Sequence, residues 1–361
     1  MTMQWLKIKG DEAEYVDHLA LQALISRAFT KLGLPEADAA LSADVLVRAD
    51  LRGVDSHGVS NSMPNIYVPE LRKGNVNVHP NIATVHETPS TATIDGDRGM
   101  GMVVGAHAMN LAIEKAKQVG SGWVAVRNSN HYGMAGYYAM MALPHDMIGF
   151  SMTSARPGVV PLGGRVPMLG TNPIAIAAPA LDEPPFVFDV ATSTVAAQKV
   201  AIAAIAGRQL PDGWVADREG RPSNDPKLPR DQRVLLPLGG ATREGGGHKG
   251  YGLAVVVDIL SGVLSAAGFG AQMSGFNCGH FVGAWRIDAF RPALEFKQQM
   301  DEMIRALRAT PLAAGSERVY VAGEPDHEME LERRAHGIPL HKNVTAYLRQ
   351  LCAELGIEPT I

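Results

Sequence analysis

Five short apolar runs, each bounded by glycine, proline or asparagine, lie between residues 82 and 190 of this 361-residue chain. Runs of this length with such boundaries are typical of β-strands. Helical patterns are interleaved with them, one through Val104, Ala108 and Ala112 and another over residues 195–206. The sequence therefore predicts an α/β (α+β) centre and leaves the sheet type open. The predicted strands are residues 91–95, 123–127, 148–153, 173–179 and 186–190.

Both ends of the chain have helical patterns instead. Two helices are predicted within the first 50 residues, and two more at residues 294–307 and 344–355. We therefore expect one helical domain from residues 1–80 and 286–361, flanking a central domain of residues 81–285. The expected buried faces are Val16, Leu19, Ala20, Ala23 and Leu24 in the first helix and Leu41, Val45 and Leu46 in the second.

A proline-rich polar segment, residues 211–237, interrupts the central part. It contains Asp-Gly and Glu-Gly turn signals and is predicted to be an excursion without a large core of its own. The glycine run at 245–247 then opens an amphipathic helix. Its expected buried face is Leu253, Val256, Val257, Leu260, Val263 and Leu264.

Composition excludes several classes of protein. The hydrophobic fraction is 46%, the charged fraction is 19% and the net charge is −4, so neither disorder nor binding to nucleic acid or a membrane surface is expected. Cys278 and Cys352 are the only cysteines and encode no disulfide framework or zinc site. No secretory leader pattern is visible at the N-terminus. We expect a cytoplasmic protein without a metal.

Two motifs present a histidine at the end of a predicted element. Asp55-Ser56-His57-Gly58 follows a helical pattern, and Asn128-Ser129-Asn130-His131-Tyr132-Gly133 follows a strand. Histidine titrates closest to neutral pH, so both are candidates for proton transfer. The alternatives, both left open, are a helix-capping cluster at the first motif and an ordinary polar turn at the second.

Two further segments suit an anion or a polar ligand. Gly170-Thr171-Asn172-Pro173 precedes one strand, and the segment Phe188–Ser193 ends the next with Asp189. Helix capping by Thr192 or Ser193 would also explain the second segment.

Neither glycine-rich loop carries a complete nucleotide fingerprint. The loop 245–252 brings Lys249 to a helix start but has no hydroxyl residue after the lysine, which disfavours ATP, and a structural hinge remains an alternative. The segment 96–101 has its glycines in the order G-x-x-G-x-G, and the next strand ends in Arg127 instead of an acid. The sequence therefore predicts no standard Rossmann site.

Taken together, D-S-H-G, N-S-N-H-Y-G, G-T-N-P, F-D-V-A-T-S and H-K-G-Y-G-L-A resemble, in this order, the type 2 malate/L-lactate dehydrogenase family. That family also includes ureidoglycolate, sulfolactate, diketogulonate and piperideine-carboxylate oxidoreductases. The resemblance implies hydride transfer between NAD or NADP and a small 2-oxo or 2-hydroxy acid. It also implies a non-Rossmann fold, a helical domain built from both chain ends, and a homodimer with its active site in the cleft between domains.

The resemblance also assigns residues. His57 corresponds to the proton donor with Ser56 as its hydrogen-bonding partner, and His131 to a second histidine against the nicotinamide. Thr171 corresponds to a substrate contact. The cofactor positions are Asp189, Val190, Ala191, His248 and Lys249, with the late segment Ala322, Gly323 and Glu324, in which Ala322 replaces a proline.

One position departs from the family pattern. Asn61 stands where the family often has an arginine suited to a substrate carboxylate. We hypothesise that Arg52, Arg156 or Arg165 supplies the charge, or that the substrate is not a simple dicarboxylate. Three alternatives stay open, namely a reductase of a cyclic imino acid, a non-catalytic dinucleotide- or metabolite-binding protein, and a Ser56-based hydrolase.

Overall fold

The centre of the molecule is a seven-stranded sheet. The computed structural model describes residues 10–205, 207–273 and 277–361. The strand order is β2-β3-β4-β11-β5-β6-β7, and only the β3–β4 pair is parallel, unlike the mostly parallel sheet of a Rossmann domain. The sheet is therefore mixed. Its strands are β2 (Ala83–Glu87), β3 (Thr91–Asp95), β4 (Ser121–Ser129), β5 (Met147–Thr153), β6 (Ile174–Ala178), β7 (Phe186–Val190) and β11 (Cys278–Arg286).

All five predicted strands are present, but no strand was predicted at β11, which lies at the middle of the sheet between β4 and β5. Glycine is depleted in strands, and β11 contains Gly279 and Gly283. A Cβ atom on Gly283 would overlap with the ring of Trp123, and one on Gly279 with the backbone oxygen of Ser261. The glycines that obscure the strand pattern are thus the ones that let neighbours pack closely on it.

Eleven α-helices accompany the three sheets of the described ranges. Helices α5 and α6 pack on one face of the seven-stranded sheet and share a core with it. The helices are α1 (His18–Lys31), α2 (Glu36–Leu51), α3 (Val59–Ser62), α4 (Val68–Arg72), α5 (Gly101–Val119), α6 (Ala135–Met140), α7 (Ala197–Ile205), α8 (Gly247–Val257), α9 (Ala293–Arg308), α10 (Glu324–His336) and α11 (Lys342–Leu355). Two π-helical turns, Met63–Tyr67 and Asp258–Val263, continue α3 and α8.

The two ends of the chain meet. Strand β1 (Ala13–Val16) pairs antiparallel with β12 (Ile338–His341), and α1, α2 and α11 share one apolar core. Of the residues predicted to be buried in the first helix, Val16 and Leu24 are buried, whereas Leu19 is 64% exposed and Ala20 and Ala23 are not buried. Val16 belongs to β1 and not to the helix. The face that packs is Leu21, Leu24, Ile25, Ala28 and Phe29.

The polar segment after α7 forms a small sheet of its own. Its strands are β8 (Val215–Asp217), β9 (Pro222–Ser223) and β10 (Arg233–Leu235), in the order β10-β8-β9. As predicted, both turn signals are tight turns, with φ of +76° at Gly213 and +81° at Gly220. The apolar side of this sheet packs on Val159, Leu169 and α7.

Helix α8 begins where the glycine run predicts, but most of its expected buried face is exposed. Leu253 and Val256 are exposed, and Val263 and Leu264 are each 57% exposed. Val257 is the one fully buried residue of the predicted set. The helix instead turns Gly250, Ala254, Asp258 and Ser261 toward the protein. Within the described ranges, no helix combines the length and apolarity that crossing a membrane requires.

Candidate active site

Two adjoining depressions lie beside the predicted histidines. The first, of about 340 Å³, is lined by His57, His131, Arg156, Thr171 and Cys278 among others, and we call it the inner cavity. The second, of about 450 Å³, extends past Asp189 and Lys199, and we call it the outer cleft. His57, Gly133, Thr171 and Pro173 line both. The structure therefore brings the two histidine motifs, the G-T-N-P motif and the F-D-V-A-T-S motif together.

His57 lies on a short loop between α2 and α3 that a buried carboxylate holds in place. Asp50 is fully buried and accepts the Val59 N–H at 2.8 Å, the first free N–H group of α3. A Cβ atom on Gly58 would overlap with this carboxylate, so the close approach requires glycine. On the outer side of the loop, Arg333 of α10 bonds to Asp55. The carboxylate that caps α3 is thus Asp50, and neither Asp55 nor Ser56 caps it.

Ser56 is bonded to the ring it precedes. Its Oγ lies 2.9 Å from Nδ1 of His57. Burial lowers the pKa of His57, so the ring is neutral at neutral pH. This geometry makes His57 a proton acceptor for a hydroxyl group or, once protonated, a donor to a carbonyl oxygen.

His131 follows β4 and lies parallel to His57. The ring centroids are 5.7 Å apart with an interplanar angle of 8°. Nδ1 of His131 is 2.8 Å from the hydroxyl of Tyr67. Burial, then the neighbouring His57, His280 and Arg156, lowers the pKa of His131 to about 3. His131 is therefore also neutral at neutral pH.

Sequence reasoning missed two residues behind this pair. Tyr67 ends the π-helical turn Met63–Tyr67, and its position ten residues after His57 carries no motif. His280 lies on the missed strand β11, fully buried between Ser129 and Thr153, each 2.8 Å from one ring nitrogen. It stacks on Tyr132 with centroids 4.4 Å apart. Finding either residue requires knowing which segments pack on the end of β4.

Of the three candidate arginines, the structure brings Arg156 to the inner cavity. Arg52 is buried, lines the outer cleft and pairs with Glu330 at 3.2 Å. Arg165 is exposed and pairs with Glu219 at 2.8 Å, away from both depressions. Asn61 does not line the inner cavity either, because its side-chain amide donates to the backbone oxygen of Ser56 at 2.8 Å.

Asn172 holds the inner-cavity loops together. It is fully buried and adopts a left-handed backbone conformation with φ of +40°. Its side chain accepts the Ala155 N–H and donates to the Ala254 oxygen and to Asp258, at 2.9 to 3.0 Å. The segment that carries Arg156 is thereby fixed against α8 beside Thr171.

The predicted cofactor residues divide into two groups. Asp189, Val190 and Ala191 line the outer cleft, where Asp189 accepts the Gly136 N–H at 2.6 Å. The other predicted residues do not line the outer cleft, but their segments contact residues that do: Gly250 of α8 packs on Leu238, and the Ala322 oxygen accepts the Val187 N–H at 3.2 Å. Both carboxylate oxygens of Glu324 are bonded within the protein, to Val321 and Arg308. The residues of this second group are His248, Lys249, Ala322, Gly323 and Glu324.

Comparison with known proteins identifies the family. Residues 16–349 match the family model described as malate/L-lactate dehydrogenase. The chain is 45% identical over 343 residues to malate dehydrogenase from Pyrococcus horikoshii, with 94% of each chain covered. The solved structure of that enzyme matches with a TM-score of 0.89 and 42% identity, covering 98% of each chain. The chain belongs to the malate/L-lactate dehydrogenase family.

Two other relatives in this family differ in the substrate they are named for. L-sulfolactate dehydrogenase from Methanocaldococcus jannaschii is 39% identical over 341 residues, covering 92% of this chain and 95% of the relative. Ureidoglycolate dehydrogenase (NAD(+)) from Escherichia coli is 33% identical over 336 residues, covering 91% and 93%. The family and the reaction class predicted from the motifs are confirmed: the chain is a dehydrogenase of 2-hydroxy acids.

The outer cleft of this malate/L-lactate dehydrogenase relative fits an extended polar ligand. Backbone approaches it closely at Gly133 and Gly136, and a Cβ atom on Gly136 would lie 3.0 Å from the Asp189 carboxylate. Next to the cleft wall, Nδ1 of His248 is buried and has no hydrogen-bond partner in the part of the chain that the structure describes. Among those residues there is also no cluster of three or more His, Cys, Asp or Glu side chains arranged to hold a metal.

Proposed function

We propose that this dehydrogenase interconverts a small 2-hydroxy acid and its 2-oxo acid in the inner cavity, with the substrate carboxylate bound by Arg156. The observation that carries the proposal is that Arg156 and Thr171 line the same cavity as His57 and His131. An arginine can bind a carboxylate through two parallel hydrogen bonds, which orients the neighbouring carbon for reaction. Malate, sulfolactate and ureidoglycolate, for which the relatives are named, all carry this carboxylate.

The cofactor proposed is NAD or NADP, bound along the outer cleft by Asp189, Val190 and Ala191 and bordered by His248, Lys249 and the segment 322–324. When bound, the nicotinamide supplies or accepts the hydride. The protein's own part is to orient the substrate and to move a proton at the hydroxyl oxygen, which His57 does with Ser56 behind it. The shared edge of the two depressions at His57, Gly133 and Thr171 supports this arrangement.

Replacing Arg156 tests the carboxylate site. We expect Arg156→Ala to raise KM about 10- to 100-fold, since a hydrogen-bonded charged pair contributes ~1.5–3 kcal/mol. Arg165→Ala is the matched control, because Arg165 is exposed and bonded to Glu219. Steady-state kinetics with malate and sulfolactate as substrates measure the difference. Equal KM values for the two variants would overturn the role of Arg156.

A substrate panel separates this function from its alternatives. Oxidation of NADH or NADPH is followed with 2-oxo acids and, in parallel, with cyclic imino acids. Faster turnover of the imines would assign the same residues to imine reduction. Binding of NADH or NADPH by fluorescence, without turnover of either class, would indicate a binding protein. No change in fluorescence with either dinucleotide would reject the cofactor site.

We also propose that the protein is a homodimer. Support comes from the exposed apolar residues of α8 and the π-helical turn after it, namely Leu253, Val256, Ile259, Val263 and Leu264. Apolar patches of this kind on a folded chain are typical of protein interfaces. A second copy of the chain is the partner that the symmetry of most oligomers favours.

A further inference from the structure

His131 is approached on one ring nitrogen by two groups, and one of them can only donate. The N–H of Gly133 points at Nδ1 with a nitrogen–nitrogen distance of 3.4 Å. A backbone N–H has no acceptor capacity, so Nδ1 must offer its lone pair and carry no proton. The Tyr67 hydroxyl lies 2.8 Å from the same atom and 3.5 Å from the backbone oxygen of His131, so its shorter hydrogen bond is the one donated to Nδ1. The single proton of the neutral ring therefore lies on Nε2.

The local structure fixes both donors. Gly133 has a φ of +80°, and a Cβ atom there would lie 2.9 Å from Val45 Cγ1 on α2, so its backbone orientation requires glycine. Tyr67 is fully buried and packs edge-on against Phe29 with centroids 6.1 Å apart. Burial raises the pKa of Tyr67, which keeps its hydroxyl protonated. The tautomer of His131 is thus set by two rigid elements that meet at the end of β4.

The groups that face the ring of His131 do not favour a second proton on it. They are His57 in a parallel stack, His280 and Arg156 on the side of β11 and β5, Tyr67 from the π-helical turn and Cys278 across the inner cavity. These five side chains carry no carboxylate; the carboxylate that lines the same cavity is that of Glu70 on α4, which is bonded to Asn75 and paired with Lys73. A proton added at Nδ1 would also face the Gly133 N–H directly. Burial and these neighbours are the reason that the pKa of His131 is lowered to about 3.

We propose that His131 keeps its proton on Nε2 throughout the reaction and acts as a fixed hydrogen-bond donor to the substrate oxygen, with Tyr67 as the residue that positions it. This inference rests on the proposed function. In the reductive direction the carbonyl carbon gains the hydride, the carbonyl oxygen gains the proton of His57, and His131 gives up nothing. A donor fixed before the reaction stabilises negative charge that develops on that oxygen without reorganising. His57 is thus the acid, and His131 is the hydrogen-bond donor to the oxyanion.

The first test measures the tautomer directly and needs neither substrate nor turnover. In protein labelled with 15N-histidine, the His131 signals are assigned by their loss in His131→Gln. We expect Nδ1 unprotonated and Nε2 protonated, with no titration between about pH 5 and pH 9, where an ordinary histidine titrates. In Tyr67→Phe the Gly133 N–H still faces Nδ1, so we expect the same tautomer, with its Nδ1 signal shifted by the loss of one hydrogen bond. Tyr137→Phe is the control, since Tyr137 donates to Asp44 at 2.7 Å and not to His131.

A second test uses rescue by a side chain that can donate but cannot transfer a proton. We expect His131→Gln to turn over at least ~10-fold faster than His131→Ala, because the glutamine amide can replace one hydrogen bond. Tyr67→Phe lowers kcat and leaves KM nearly unchanged. Equal activity of the Gln and Ala variants, or a His131 that titrates near neutral pH, would overturn the proposal. A protein without any turnover but with the expected 15N spectrum would reject the proposed function and leave the tautomer assignment standing.

Discussion

His57 lines the inner cavity, and the hydroxyl of Ser56 lies 2.9 Å from Nδ1 of its ring. We expect His57→Ala to lower kcat at least ~100-fold, the usual effect of losing an acid/base group. His86→Ala is the control, because His86 is an exposed histidine on β2. Steady-state kinetics in both directions provide the measurement. A loss smaller than about tenfold would leave His57 without a role in proton transfer.

The pH dependence of the reaction follows from the lowered pKa of His57. Oxidation of the hydroxy acid needs the neutral ring, so its kcat declines as the pH falls through the pKa of His57, below the ordinary value. Reduction needs the protonated ring, so its kcat declines as the pH rises through the same pKa. Profiles of kcat measured in the two directions should have opposite slopes on the acidic side of neutrality. Parallel profiles would point to another proton donor.

The ionisation of Asp189, in the outer cleft, affects the stability of the folded protein. Burial raises its pKa to about 6, with Asp326 adding to the increase and the Gly136 N–H opposing it. The folded state therefore binds this proton more tightly than the unfolded state, and stability is lost as the pH rises from about 4 to about 6.

Asp189→Asn removes that charge and keeps an oxygen for Gly136. We expect the variant to be more stable at pH 8 by ~1–3 kcal/mol, because each tenfold difference in proton affinity between the folded and unfolded states corresponds to about 1.4 kcal/mol. The gain should shrink toward pH 4. Urea unfolding at several pH values measures it, with the exposed Asp231→Asn as the control. If Asp189→Asn gained the same stability at every pH, the gain would not come from the ionisation of Asp189.

At the scale of elements, the sequence predicts what local periodicity encodes and misses what only packing determines. The five strands from β3 to β7 are short runs rich in apolar residues, of which β5 contains one interior glycine, Gly149, whereas β11 contains two glycines that packing requires. The helix at α8 is predicted by its glycine start and its apolar spacing. The spacing does not determine whether an apolar face packs in the core or lies exposed on the surface. His57, His131 and Thr171 lie in motifs, so the sequence alone proposes them, and all three line the inner cavity. Tyr67 and His280 reach the site only through tertiary contacts and were missed.

The start of α10 is a second place where a glycine decides the packing. Gly323 has a φ of +86°, and a Cβ atom there would lie 2.8 Å from the backbone of Val187 on β7. We expect Gly323→Ala to destabilise the protein by ~2–5 kcal/mol, combining left-handed strain with overpacking. Gly315→Ala isolates the strain alone, because Gly315 has a φ of +80° and open space around it. In urea unfolding, we expect the midpoint of Gly323→Ala to be well below that of Gly315→Ala. Similar midpoints would exclude the clash with Val187.

At the scale of the whole molecule, the exposed face of α8 predicts the oligomeric state. We expect Val263→Asp to convert the proposed dimer to a monomer, because the change places a charge within the apolar patch. Leu312→Asp is the matched control, since Leu312 is similarly exposed but distant in sequence from the patch. Sedimentation velocity measures both. A monomeric unsubstituted protein, or a Val263→Asp variant that stays dimeric, would exclude this interface.

The pairing of β1 with β12 also has a consequence for synthesis on the ribosome. Ala13 pairs with His341, and the core that buries α1 includes Leu348 and Leu351 of α11. Helices α1 and α2 are translated long before β12 and α11, which cover part of their surface. Their apolar faces stay uncovered for most of translation, a state in which nascent chains are prone to aggregate. The protein should therefore depend on chaperones during synthesis more than a chain of equal length whose contacts are local, and its N-terminal helices should resist proteases only after His341 has left the ribosome.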